Sequence, residues 1–79
     1  MKNSDVPNYS VIFGEALKAR RMALGISQEE LAFRAGVDRT FVSRIERGIR
    51  QPTITTIFLL SQALEISATD LVGDVELNI

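Results

Sequence analysis

The sequence predicts an all-α domain: a compact bundle of five helices with a helix-turn-helix at its centre. Three observations predict it. Apolar residues recur at three- and four-residue intervals, and no segment alternates with a period of two for long enough to make a strand. A capping residue stands ahead of five such runs: Ser10, Ser27, Asp38, Thr53 and Ser67. Gly25, Gly36 and Gly48 stand where the first three runs should stop. Residues 10–79 are expected to form one domain, and the polar residues 1–9, with Pro7 among them, a flexible lead-in.

The first helix is expected from Val11 to Leu24, capped by Ser10 and stopped by Gly25, with Phe13, Ala16, Leu17 and Leu24 on its buried stripe. Ser27 then caps a second helix. Glu30, three residues on, predicts a capping box, and Ile26 can staple onto Leu31. That helix runs to Ala35, and Gly36 supplies the positive φ of the next turn. Asp38 caps the third helix, Val37 can staple onto Val42, and the helix ends near Arg47 with Gly48 beyond it. Gln51-Pro52-Thr53 opens a fourth helix, Ile54 to Leu64. Ser67 with Asp70 is a second capping box, with Ile66 stapling onto Leu71, for a short fifth helix that fades by Gly73.

Composition removes most chemistries. With 79 residues, a chain buries only about 60% of its unfolded surface, so its stability is expected to be marginal. There is no cysteine and no histidine. Disulfides, thiolate and imidazole metal sites, Cys–His and Ser–His catalysis and histidine switching are therefore excluded. The carboxylates form no paired constellation, so an enzyme is not expected, nor is a cofactor or small-molecule ligand. No apolar run has the length of a membrane span and no signal peptide is recognised, so the expected location is cytoplasmic. Net charge is −1, but unevenly spread: residues 1–50 hold all nine Lys and Arg and carry +3, whereas residues 51–79 carry −4. Such a molecule can offer a basic face to phosphate and keep its acidic end away.

Gln28 to Arg47, QEELAFRAGVDRTFVSRIER, carries the functional signal. Ala32 lets two helices approach closely, Gly36 turns the chain, and Leu31, Val42 and Ile45 fill the angle between them. Polar and basic residues fall where the second helix would face outward, the layout of a helix that enters the DNA major groove. Its first turns put Arg39, Thr40 and Ser43 within reach of base edges, and Arg44 lies a turn further on, assigned to a base or to a phosphate. An arginine can grip guanine O6 and N7 with two parallel bonds, worth roughly 1–3 kcal/mol of discrimination. Gln28, first in its helix, is placed to meet a phosphate, as are Arg47 and Arg50. Phe41 either packs on the sugar-phosphate strand or fills the core.

These residues resemble the Cro/C1-type (Xre-like) helix-turn-helix regulators, whose compact fold is that of the lambda repressor. The resemblance covers Phe13 to Val72, with the SQEELA run at Ser27–Ala32, the IERG run at Ile45–Gly48, and Pro52 before an apolar-rich helix. Within that family the segment Asp38–Arg50 is most similar to restriction–modification controller proteins. The resemblance implies base readout at Arg39, Thr40 and Arg44, DNA contact at Gln28, and a partly buried structural salt bridge between Arg21 and Glu46. At Glu65 the sequence departs from the glycine common at this helix end, which predicts a different turn there.

The fourth helix is too apolar for a surface helix. Ile54, Ile57, Leu60 and Leu64 make one stripe for the core, Phe58 lies on its flank, and Leu59, usually polar in the family, points nearly the opposite way. A second buried surface is expected, formed by Phe58, Leu59, Leu71 and Val72 and extended by Val75 and Leu77. Pairing it with itself would give a homodimer presenting two recognition helices, residues 38–47, about 34 Å apart to a palindromic operator. The expected function is sequence-specific DNA-binding transcriptional regulation, as controller of a restriction–modification operon. A phage- or plasmid-type repressor and an antitoxin-like protein-binding module are the alternatives.

Overall fold

The computed structural model describes residues 6–79, in which five α-helices follow one another: α1 Tyr9–Leu24, α2 Gln28–Ala35, α3 Arg39–Glu46, α4 Ile54–Ala63 and α5 Ala68–Leu77. No strand occurs among the described residues. Residues 1–5 of the expected lead-in lie outside them.

Each helix starts on a side-chain oxygen. Ser27, Asp38, Thr53 and Ser67 accept from a backbone N–H two or three residues on, as expected. Helix α1 begins two residues early: Asn8, not Ser10, is its cap and accepts from the Val11 N–H at 3.2 Å. Asparagine caps as well as serine does, so Ser10 is absorbed into the first turn. The reciprocal capping box forms at Ser67 and Asp70. At Ser27 only half of it forms, and the Glu30 carboxylate lies 3.8 Å from Arg34 instead.

The helix ends share one device. At the end of α1 the N–H of Ile26 bonds to the carbonyl of Arg21, and that of Gly25 to Met22. Val37 and Gly36 repeat the pattern after α2, Ile49 and Gly48 after α3, and Ile66 and Glu65 after α4. This paired bonding needs one residue in the left-handed region. Glycine fills it three times, at φ 77°, 71° and 77°; Glu65 fills the fourth at φ 61°. The turn expected to differ at Glu65 is therefore the same turn, made by a residue with a Cβ. The branched apolar residue that follows serves twice. Ile26, Val37 and Ile66 each close one helix, precede the cap of the next, and pack against the core.

The core draws on every helix: Phe13, Ala16 and Leu17 from α1, Leu31, Ala32 and Ala35 from α2, Val42 and Ile45 from α3, Leu60 and Ala63 from α4 with Leu64 at its end, and Leu71 from α5. Helix α1 packs on α3 and α5, α2 on α3 and α4, and α4 on α5. Two expected core residues lie outside. Leu24 is exposed at the last position of α1, just before the turn at Gly25, and Ile54 is 68% exposed in the first turn of α4. Helix α5 does not fade at Gly73. That glycine keeps negative φ, and the helix continues to Leu77 because Val75 packs on the core and Asp74 is gripped from α1.

One close approach sets the geometry. A Cβ on Gly14 would stand 2.8 Å from the carbonyl oxygen of Glu46, with that of Ile45 nearer still. Helix α1 thus lies directly against the C-terminal end of α3, and only a glycine fits there.

Candidate nucleic-acid interface

Helix α3 is divided sharply. Val42, Ile45 and Glu46 are buried, whereas Arg39, Thr40, Arg44 and Arg47 are exposed and Ser43 is half-buried beside them. At 3.6 residues per turn these five outward positions fall within an arc of roughly 140°. The sequence folds this way because Asp38 accepts the Thr40 N–H at 2.7 Å, starting the helix so that Val42 and Ile45 point inward. Among the described residues, neither Arg39 nor Arg44 has a carboxylate within ion-pair distance. Arg47 folds back, its Nε 3.4 Å from the Ser43 carbonyl. The Arg50 guanidinium lies 5.5 Å from the centroid of the Phe41 ring. Phe41 itself is half-buried and packs on the core with one part of its ring.

Behind this arc sits a buried polar knot. Glu46 is enclosed, with only 3% of its side chain exposed. Arg21 donates to both of its oxygens, from Nε at 2.6 Å and Nη2 at 3.0 Å, and its Nη1 donates to the Ile26 carbonyl at 2.9 Å. The bidentate bond to Glu46, opposed by burial, holds the Arg21 guanidinium above its already high pKa. Gln28 joins the knot through Nε2, which donates to Glu46 Oε1 at 3.0 Å. The Arg21–Glu46 pair is thus present as the resemblance implied. The tie from Gln28 has no local signal, because the two residues stand 18 positions apart.

Two further features lie outside the expected site, and only one of them has a sequence signal. Arg20 grips Asp74 with two bonds, 2.6 and 2.9 Å, joining α1 to α5 and holding the Asp74 carboxyl below the usual carboxylate range. Gly14 does carry a usable signal, since glycine inside a helix is costly unless something must come close.

The apolar surface differs from expectation in one respect. Leu71 has no exposure at all and belongs to the core of its own chain, so it is not part of an outward face. Phe58 and Val72 are exposed, 54% and 43%, and with Ile54, Ile57, Gly73 and Glu76 they line an open groove between α4 and α5. Leu59 is 38% exposed, one position further round α4. No described helix is long and apolar enough to cross a membrane.

The family model described as helix-turn-helix matches residues 17–71, from the middle of α1 into α5. The chain belongs to the helix-turn-helix family. That family consists of DNA-binding transcriptional regulators and not of enzymes. This helix-turn-helix protein is 37% identical over 65 residues to control protein C.BamHI of Bacillus amyloliquefaciens, covering 81% of this chain and 80% of that one. Its fold is similar to the restriction–modification controller protein C.AhdI from Aeromonas hydrophila, with 44% identity and a TM-score of 0.77 over 78% of this chain and 94% of that one. It is also similar to C.Esp1396I bound to a 19 base pair DNA duplex, at 31% identity and a TM-score of 0.80, over 86% and 91% of the two chains.

Proposed function

We propose that this protein is a homodimeric, sequence-specific regulator of a restriction–modification operon, binding palindromic operator DNA in the cytoplasm. The observation that carries the reading is the outward arc of α3, with Arg39 and Arg44 lacking an ion-pair partner among the described residues, on a fold similar to that of controller proteins. Arg39, Thr40 and Ser43 read base edges, and Arg44 reads a base or holds a phosphate. Gln28, Arg47 and Arg50 hold the backbone, with Phe41 steadying Arg50 from beneath. Two copies meet through Ile54, Phe58, Leu59 and Val72, which places their α3 helices about one DNA turn apart.

Selection of bound sequences from a random duplex pool tests this. A palindrome with half-sites about 10 base pairs apart supports the reading, as does affinity that falls steeply with salt through counterion release. A pool that emerges without sequence preference refutes it.

A further inference from the structure

The buried Arg21–Glu46 pair need not reach Gln28 to hold α1 against α3, yet Glu46 accepts a hydrogen bond there as well. Gln28 opens α2, and among the described residues the backbone N–H groups of Gln28 and Glu29 have no acceptor. A phosphate at that end would meet those groups together with the Gln28 side chain. What the side chain offers depends on which way its amide faces, since one end donates and the other accepts.

Glu46 decides that orientation. A carboxylate only accepts, so the amide nitrogen must face it. The opposite flip would set two lone-pair oxygens about 3 Å apart against a carboxylate that is itself buried. One amide N–H is then fixed on Glu46, and the second N–H, on the same nitrogen, is held in a fixed direction. Arg21 stabilises the arrangement twice over. It neutralises the carboxylate, which would otherwise repel phosphate, and it ties down the Ile26 carbonyl two residues ahead of Gln28.

We propose that Glu46 is a positioning residue for DNA binding: clamped by Arg21, it presets the Gln28 carboxamide so that its second N–H is already aimed at a phosphate. The proposal rests on the DNA-binding reading, and its test separates the two. Gln28→Ala, Glu46→Gln and the double variant are titrated with the selected operator duplex, with folded fractions checked by circular dichroism. Gln28→Ala should weaken binding about fivefold, and Glu46→Gln by a similar factor. In the Gln28→Ala background, Glu46→Gln should change affinity less than twofold, because the group it positions is gone. A full, additive loss in that background overturns the proposal, since it would show Glu46 acting only through the fold.

Should Glu46→Gln fail to fold, side-chain amide spectra of the DNA-free wild-type protein carry the test. The Gln28 amide protons should exchange with water more slowly than those of Gln51 and Gln62, which are exposed. Three glutamines with equal exchange overturn the preset orientation. Wild-type protein that selects no DNA sequence removes the DNA-binding reading, whatever the amide spectra show.

Discussion

Replacing Glu65 by glycine should make the protein more stable, although it removes a side chain. Glu65 sits at φ 61° in the turn that glycine makes three times elsewhere in the chain. An L-residue in that region costs roughly 1–2 kcal/mol because its Cβ crowds the following carbonyl. Glycine's greater freedom in the unfolded chain offsets roughly 0.5–1 kcal/mol of that. The substitution also removes the ion pair of Arg34 with Glu65 at 3.8 Å, between side chains 37% and 69% exposed, which contributes at most about a few tenths of a kcal/mol. The net gain is about 0.5–1 kcal/mol, which for a domain of this size raises Tm by about 2–8 °C. Thermal unfolding followed by circular dichroism measures it, with all variants compared at one fixed protein concentration. Glu65→Ala is the control: it removes the charge but keeps the Cβ, so Tm should stay near wild type. A Glu65→Gly protein no more stable than wild type, or a Glu65→Ala protein stabilised equally, would refute the reasoning.

Gly14→Ala should cost about 1–3 kcal/mol in urea unfolding, because the new Cβ meets the backbone of α3, which cannot swing aside. Arg21→Met should cost about 3–5 kcal/mol by stranding the Glu46 carboxylate, whereas Arg21→Met with Glu46→Leu should cost clearly less; a thermal-unfolding cycle compares them. Asp74 titrates lower in the folded protein than in the unfolded chain, so its contribution is full above about pH 4 and is lost as pH falls through its depressed value. Stability measured from pH 7 down to 2 should therefore fall less for Asp74→Asn than for wild type. Arg39→Ala should abolish discrimination between operator and random duplex in an anisotropy titration, while Arg50→Ala should weaken both about equally.

Sequence makes the order and type of the helices legible because their ends are local chemistry. The trio of turn residue, branched apolar residue and cap recurs as Gly25-Ile26-Ser27, Gly36-Val37-Asp38 and Glu65-Ile66-Ser67, and each can be read within three positions. The outward arc of α3 is legible for the same reason, since helical period alone separates Arg39 and Arg44 from Val42 and Ile45. What escapes depends on residues far apart in the chain. The length of α5 is set by Val75 reaching the core and by Arg20 reaching across 54 positions to Asp74, neither visible from a window around Gly73. Leu71 reads as outward in sequence because the period of a short helix shows two apolar sides without showing which one α4 and α1 cover. Gln28 is legible as a helix start, but its bond to Glu46 belongs to the fold.

Arg20 and Arg21 are consecutive, yet one holds α5 and the other holds the end of α3. Consecutive side chains on a helix diverge by about 100°. Helix α1 therefore works as an axle, with the α5 end fastened on one side and the reading helix on another, and with Gly14 leaving no play between axle and reader. The Arg20–Asp74 pair, helix α1 and the Gly14 contact join α5 to α3 without crossing a single loop. Variants that shift how α5 sits should therefore change DNA affinity through α3, although they lie on the far side of α1 from it.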